Sequence, residues 1–253
     1  MKRELMGGIN AVEALLQRSP ERMVRLWVKP DQNARLSALW DQAKALGVPV
    51  EVADDRALSR RLSDIPHQGV VAEFQPQAAI DEHALNELVA NHPNPLLLVL
   101  DEVQDPHNLG ACIRSAAAAG ALAVVTTKDR ASGLTAAARK ASAGASEWLP
   151  LAVVTNLARA LDQLKEAGLW TVGLVMAEGE SLFSPDISKW FESGVVLVVG
   201  GEGKGLRRLT AERCDRLVSI PMPGETESLN VSVAAAIALF SVVRARGAGS
   251  ATA

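Results

Sequence analysis

The chain has 253 residues, of which 48% are hydrophobic and 22% charged, an ordinary composition for one large or two modest globular domains. A net charge of -3 and an aromatic content of 4% argue against base stacking or a strong overall positive field as the main basis of binding. Cys112 and Cys214 match no zinc-binding spacing. The N-terminal segment lacks a signal-peptide core, and no apolar run reaches membrane-spanning length. We therefore expect a reduced, cytoplasmic protein that binds neither metal nor membrane.

Residues 1–74 predict a small α/β domain of their own. The predicted elements, in chain order, are a helix at 8–17, a strand at 22–28, a helix at 36–46 and strands at 48–52 and 69–74. This domain has 11 basic and 10 acidic residues, and its first thirty residues are the more basic part. Such a cluster is compatible with phosphate contacts and equally with a solvated helix face.

Residues 75–93 predict a flexible linker. The stretch 75–100 carries three acidic residues and no lysine or arginine, and prolines mark its edges. An acidic linker would stay away from a polyanion bound by the domains that it joins.

Residues 94–246 predict a second domain built on a parallel sheet. Apolar strands alternate with helical segments there, at 96–100, 121–126, 170–175, 195–199 and 217–220. The tail, residues 247–253, has nothing to bury and is predicted to be disordered.

The most informative stretch is VVLVVGGEGKGL, residues 195–206. Its five consecutive apolar residues predict a central strand covered on both faces, and ligands gather at the carboxyl ends of such strands. A Walker loop is excluded because Lys204 is followed by Gly205 and not by serine or threonine. Glu202 would repel the pyrophosphate of a dinucleotide. A tight turn explains one or two of the four glycines, so the loop favours a neutral or cationic ligand.

Two further segments end or follow predicted strands. In DEVQDPHNLGACIRSAAAAG, Asn108 is a candidate N-cap and Gly120 a candidate stop for a helix of small residues. Arg114 is the only charge on that helix, so it either faces a specific partner or is an ordinary surface charge. In IPMPGETESLNVSVAAAIALF, Ser228 and Asn230 precede a helix that is apolar all round. Such a helix must be covered on every face, which suggests a subunit interface as well as a core.

These segments resemble a known family. DPHNLGACIRSA, VVGGEGKGL and IPMPGETESLNVSVAAA are similar, in order and spacing, to the three motifs of the SpoU (TrmH-like) RNA ribose 2'-O-methyltransferases of the SPOUT class. GINAVEALL and HQGVVAEF resemble the substrate-binding domain of the bacterial 23S rRNA guanosine 2'-O-methyltransferase subgroup. The resemblance covers nearly the whole chain.

The resemblance implies an α/β fold with a SPOUT-type parallel-sheet domain at 94–246, tied into a deep trefoil knot, which sequence pattern alone would not suggest. It also implies a small N-terminal α/β domain, 1–74, of a ribosomal-protein-like RNA-binding fold. The expected partners are 23S rRNA and a second copy of the chain, which would dimerise through the apolar helix at 231–243.

The expected methyl donor is S-adenosyl-L-methionine, whose positive charge suits the carboxylate in the glycine loop. Carried over residue by residue, the family's cofactor contacts fall on Gly200, Ile220 and Leu229. Its catalytic set falls on Asn108, Arg114, Glu202, Ser228 and Asn230.

The resemblance leaves the role of Arg114 and the choice of RNA open. Arg114 acts either as a general base aided by an RNA phosphate or as an electrostatic stabiliser of the developing alkoxide. The expected activity is 2'-O-methylation of a guanosine in 23S rRNA. The alternatives are a tRNA ribose 2'-O-methyltransferase and a non-catalytic RNA-binding ribosome-assembly factor.

Overall fold

The structure is a computed structural model that describes residues 3–30, 33–63, 66–176, 179–203 and 205–247. The chain forms two compact units. One unit comprises the chain up to Ala78 together with Gly133–Trp148, and the other comprises Ala79–Ser132 and the chain from Leu149 onward. The predicted disordered tail lies outside the described residues, apart from Gly247.

In chain order, the first seven elements are β1 (Glu4–Gly7), α1 (Ile9–Arg18), β2 (Met23–Val28), α2 (Ala34–Ala45), β3 (Val50–Val52), α3 (Asp55–Arg61) and β4 (Val70–Phe74). The remaining elements are α4 (Glu82–Ala90), β5 (Leu96–Asp101), α5 (Pro106–Ala118), β6 (Ala123–Thr127), α6 (Ala136–Ala141), β7 (Leu151–Val154), α7 (Leu157–Glu166), β8 (Trp170–Leu174), β9 (Glu180–Ser181), α8 (Pro185–Trp190), β10 (Val195–Gly200), α9 (Arg208–Ala211), β11 (Arg216–Ser219) and α10 (Val231–Ala245). None of the helices in the described ranges has the length and apolar character needed to cross a bilayer.

The first unit is built on a four-stranded sheet in the order β1-β4-β2-β3. β4 is antiparallel to both of its neighbours, and β2 and β3 are parallel. The predicted amphipathic helix is confirmed as α1, because its apolar residues at helical spacing are buried. Helix α3 and strand β1 were not predicted; α3 is seven residues long and mostly charged, so its apolar periodicity is weak.

A buried charge cluster holds Gly133–Trp148 in this unit. The side chain of Glu147 is fully buried and forms ion pairs with Arg22 and with the equally buried Arg139. Arg139 also pairs with Glu4, and Arg22 Nη1 donates to the Glu147 carbonyl at 2.9 Å. Removing one member would leave an unpaired buried charge, so the cluster fixes this segment firmly. The segment therefore departs from the predicted continuous domain at 94–246.

The second unit is built on a seven-stranded sheet in the order β7-β6-β5-β10-β8-β11-β9. All of its strand pairs are parallel. β10 is the middle strand, and Val195–Val199 are buried because helices cover both faces. The predicted parallel sheet and the predicted central strand are both confirmed.

Two local expectations differ from the structure. The predicted linker at 75–93 contains α4, whose Leu85 and Val89 lie in the core of the second unit. Its surface is acidic because only one face of the helix is buried. Helix α5 begins earlier than predicted: Asp105, not Asn108, is the N-cap, and its Oδ1 accepts from His107 N at 3.0 Å. Aspartate followed by proline is the stronger start signal, and it leaves the Asn108 side chain free for other contacts.

Candidate active site

The glycine loop starts where two neighbouring strands end together. Gly200, the last residue of β10, pairs in register with Asp101, the last residue of β5. Gly201 N donates to the Asp101 carbonyl at 2.8 Å, and the loop closes through Gly205 N and the Gly201 carbonyl at 3.2 Å. A Cβ on Gly200 would lie 2.0 Å from the Gly205 backbone, so only glycine allows this approach. The result is a compact loop at the carboxyl edge of the sheet.

A cavity of about 280 Å³ lies against this loop. All three predicted cofactor contacts line it: Gly200, Ile220 and Leu229. Three of the five predicted catalytic residues line it as well: Glu202, Ser228 and Asn230. Its remaining lining is Leu174, Val175, Met176, Val199, Gly201, Gly203, Gly205, Met222, Glu227, Val231 and Ala234. Apolar walls with two carboxylates and glycine backbone suit a small molecule that has both an apolar body and positive charge.

A hydrogen-bond chain joins Asn108, Glu202 and Asn230 at the edge of this cavity. Asn230 caps α10, its Oδ1 accepting from Ser232 N at 2.9 Å. Because that N–H can only donate, Asn230 Nδ2 is left to donate to Asn108 Oδ1 at 3.1 Å. Asn108 Nδ2 then donates to the Glu202 carboxylate. A backbone N–H therefore sets the orientation of both amides, and three distant segments meet at one point.

Arg114 is placed differently from the other predicted catalytic residues. It lies on α5, is exposed and is not part of the cavity lining. Its side chain makes no hydrogen bond or ion pair with another residue in the described part of the chain. His107 is also exposed, and its backbone N–H donates to Asp105 Oδ1. The guanidinium of Arg114 is thus available to a bound partner.

Asp101 and Arg207 were not singled out by sequence pattern, yet they flank the glycine loop. The Asp101 side chain is fully buried and its carboxylate pairs with Arg207 Nη2 at 2.6 Å. The sequence did carry a signal for Asp101. An aspartate that ends an otherwise apolar strand is a buried charge and must have a partner.

The cysteine near this site is not suited to chemistry. Burial raises the pKa of the Cys112 thiol to about 12, and the nearby Glu202 carboxylate acts in the same direction. No cluster of metal-binding side chains exists among the described residues. The polar side chains that line the described part of the cavity are the carboxylates of Glu202 and Glu227, the hydroxyl of Ser228 and the amide of Asn230.

The fold and the cavity define an α/β protein that binds a small molecule at the carboxyl edge of a parallel sheet. A family model described as "SpoU rRNA Methylase family" matches residues 95–240, and one described as "RNA 2'-O ribose methyltransferase substrate binding" matches residues 5–79. The chain belongs to the SpoU rRNA methylase family, which confirms the resemblance noted in its three motifs.

Relatives and solved structures agree with this assignment. The proteins named 23S rRNA (guanosine-2'-O-)-methyltransferase RlmB from Shewanella oneidensis and Haemophilus influenzae are 46% and 44% identical to it. The matches span 97% and 96% of this chain and 98% of each relative. The structure of the SpoU methyltransferase AviRb from Streptomyces viridochromogenes with AdoMet shares the fold, with a TM-score of 0.77 at 23% identity, covering 98% of this chain and 92% of AviRb. A crystal structure of an RNA 2'-O ribose methyltransferase gives a TM-score of 0.74 at 28% identity, covering 96% and 89% of the two chains.

Proposed function

We propose that this protein transfers a methyl group from S-adenosylmethionine to the ribose 2'-hydroxyl of a guanosine in 23S rRNA. Support comes from the relatives named 23S rRNA (guanosine-2'-O-)-methyltransferase RlmB, which match this chain over nearly their whole length. The observation that carries the proposal is the hydrogen-bonded group of Asn108, Glu202 and Asn230 beside a glycine-lined cavity. We infer the cytoplasm as the place of action, since that is where a bacterial rRNA is made and modified.

The cavity fits the proposed methyl donor by its chemistry. The carboxylates of Glu202 and Glu227 at its edge favour a cation, and the apolar walls favour an uncharged ring system. S-adenosylmethionine supplies an activated methyl group on a positive sulfonium. Gly200, Ile220 and Leu229 are the proposed cofactor contacts, and the absence of a side chain at Gly200 lets a ligand approach the backbone.

The protein's task is to align the ribose with the methyl group and to help a weak acid lose its proton. We assign alignment to the chain of Asn108, Glu202 and Asn230, whose amides are held in one orientation by the cap of α10. Ser228 shapes the same cavity. These groups are fixed before the substrate binds, which lowers the entropic part of the barrier.

Arg114 is assigned an electrostatic role. A guanidinium keeps its proton in proteins, which argues against its acting as a free base. Its exposure and lack of a described partner suit a group that meets the RNA, gripping a phosphate and stabilising the developing alkoxide.

The protein is proposed to act as a homodimer. Helix α10 leaves apolar side chains uncovered, since Val233 and Phe240, seven residues apart on one face, are 47% and 49% exposed. Phe183 is 44% exposed in the same unit. Sedimentation of the native chain and of Phe240→Glu is the test: the native chain should be a dimer and the variant a monomer.

A trefoil knot is part of the same proposal. β10 is inserted between β5 and β8, and the segment between β11 and α10 lines the same cavity as the loop that follows β10. The later segment therefore returns to the loop that follows β10. Such a return favours passage of the C-terminal segment through an earlier loop, which is what a trefoil knot requires. The first 74 residues are proposed to be the RNA substrate-binding domain, in keeping with the family model that matches residues 5–79.

The deciding experiment is methyl transfer from tritium-labelled S-adenosylmethionine to purified 23S rRNA, 16S rRNA and bulk tRNA. We expect label in 23S rRNA alone, on a guanosine whose ribose then resists alkaline cleavage. Label in tRNA instead would support the tRNA alternative. If the protein binds the cofactor but labels none of these RNAs, the assay is repeated with ribosomal precursor particles. Absence of label there as well would support the non-catalytic alternative.

A further inference from the structure

Asp101 is a buried carboxylate with an unusually complete set of donors. Its Oδ2 accepts from Arg207 N at 3.1 Å, and its Oδ1 accepts from Arg207 Nε at 2.7 Å and pairs with Nη2 at 2.6 Å. The Asp101 side chain is 0% exposed and that of Arg207 is 43% exposed. Burying a carboxylate is costly unless it is paired and hydrogen-bonded, and here one arginine supplies all of these donors.

This pair spans the glycine loop. Arg207 directly follows the loop, and the Asp101 backbone carbonyl accepts from Gly201 N at its beginning. Asp101 therefore contacts the first turn of the loop through its backbone and the end of the loop through its side chain. Neither Asp101 nor Arg207 lines the cavity, so the pair reaches a ligand only through the loop between them.

A second contact holds the same end of β5. Arg207 Nη1 pairs with Glu102 Oε1 at 3.3 Å, and Arg130 pairs with the same oxygen at 3.2 Å. Glu102 has φ 60°, a left-handed conformation that a non-glycine residue adopts at some cost. In this conformation its carbonyl lies 2.4 Å from where a Cβ on Gly201 would be. The turn after β5 therefore packs closely against the loop, and Arg207 and Arg130 hold it there through their ion pairs with Glu102.

We propose that Asp101 and Arg207 are positioning residues that keep the glycine loop in the shape that binds the methyl donor. The inference rests on the proposed function and extends it to two residues behind the loop. The end of β5 and the first turn of α5 then both support the loop: Asn108 holds Glu202 at the cavity, and Asp101 holds Arg207 outside the cavity lining.

The pair should act on affinity and much less on the chemical step. Loosening the loop lowers the fraction of molecules that are competent to bind, and the apparent dissociation constant rises by the inverse of that fraction. A saturating ligand selects the competent shape again, so the turnover rate is largely restored. A residue needed only for general folding would not separate these two quantities.

The test compares Arg207→Gln and Arg207→Lys with the control Arg213→Gln. Arg213 is about as exposed as Arg207 and also pairs with an aspartate of the same unit, but that aspartate, Asp162, is not buried. Calorimetry with S-adenosylmethionine and turnover with 23S rRNA are measured alongside thermal unfolding without ligand. We expect Arg207→Gln to weaken cofactor binding at least tenfold, about 1.4 kcal/mol, and to leave kcat at saturating cofactor within threefold of native. Arg207→Lys should be intermediate because an ammonium cannot replace the guanidinium fork, and Arg213→Gln should bind within twofold of native.

Asp101→Asn is a second variant, and combined with Arg207→Gln it should add little further loss because both remove one interaction. If Asp101→Asn fails to fold, the two Arg207 variants decide, since the backbone N–H at position 207 still donates to Asp101 Oδ2 and the glutamine or lysine side chain offers a further N–H donor. A folded Arg207→Gln with cofactor affinity within twofold of native would overturn the inference while leaving the proposed function intact. A native protein that binds no cofactor would overturn both.

Discussion

Asn230 Nδ2 donates a hydrogen bond to Asn108 Oδ1 over 3.1 Å, although the two residues are 122 positions apart in the chain. The bond joins the cap of α10 to the first turns of α5. Because the opposite side of the Asn108 amide donates to Glu202, one amide connects the last helix to the glycine loop. The arrangement depends on Asn230 being an amide and not merely a good N-cap.

Asn230→Asp should therefore abolish most activity without unfolding the protein. Aspartate still caps α10 but has no N–H for Asn108, and its carboxylate competes with Glu202 for a single amide donor. We expect kcat to fall by about 100-fold or more, a usual effect of misplaced catalytic groups, with little change in melting temperature. Asn156→Asp is the matched control, since Asn156 caps α7 through Arg159 N and lies outside the proposed site. Equal losses in the two variants would contradict the assigned role.

Arg114→Ala should separate chemistry from cofactor binding. The residue is exposed and outside the cavity, so its removal should leave the affinity for S-adenosylmethionine within twofold of native. Loss of the charge that stabilises the alkoxide should lower kcat/KM by roughly 100-fold to 1,000-fold. Calorimetry and methyl transfer to 23S rRNA check the two halves. Retained transfer with lost cofactor binding would show that Arg114 is wrongly assigned.

Sequence pattern predicted the central strand well because five consecutive apolar residues are compatible only with burial on both faces. It misplaced the start of α5 because Asn108 and Asp105 are both good caps, and the proline after Asp105 decided between them. Motif resemblance brought Asn108, Glu202 and Asn230 to one site. The hydrogen bonds among them depend on side-chain orientation, which no motif encodes.

Local composition also failed where distant charges decide the fold. Glu147 lies in a stretch that reads as part of the second domain, yet its carboxylate pairs with Arg22, 125 residues away. Each residue alone looks like an ordinary surface charge. Only their burial together shows why Gly133–Trp148 belongs to the first unit.

Arg246→Ala should destabilise the second unit. The guanidinium donates to the carbonyls of Phe191 at 2.8 Å and Asn94 at 3.0 Å, and also to Ser193 and Pro95. Burial lowers the pKa of Arg246, so these carbonyls must offset the lost hydration. Removing the donor leaves several acceptors poorly satisfied, and we expect a loss of about 1–3 kcal/mol in denaturant unfolding. Arg244→Ala, at an exposed neighbouring position, should change the stability far less.

The two cysteines should resist thiol reagents in the folded protein. Burial raises the pKa of both Cys112 and Cys214 to about 12, so the reactive thiolate is scarce at neutral pH. Because the pKa is raised, the fraction of each thiol present as thiolate increases about tenfold for each pH unit as the pH approaches 12. We expect no labelling by iodoacetamide at pH 8 within an hour, and full labelling in guanidinium. Rapid native labelling would contradict the buried placement of Cys112 and the partly buried placement of Cys214.

The double substitution Arg56→Gln with Arg60→Gln should weaken RNA binding and nothing else. Both arginines are exposed on α3, four residues apart, and neither has an ion-pair partner in the described part of the chain. By contrast, Arg35 pairs with Glu13 at 2.7 Å in the same unit, which makes Arg35→Gln a suitable control. If each of these two arginines contacts one phosphate of single-stranded RNA, the plot of the logarithm of the RNA-binding constant against the logarithm of salt concentration should become less steep. Its slope should decrease in magnitude by about 1.4. Affinity for 23S rRNA should drop by about tenfold at moderate salt, whereas cofactor affinity and kcat at saturating RNA stay near native. Filter binding at several salt concentrations measures the slope, and a slope unchanged from native would place the RNA on another face of the unit.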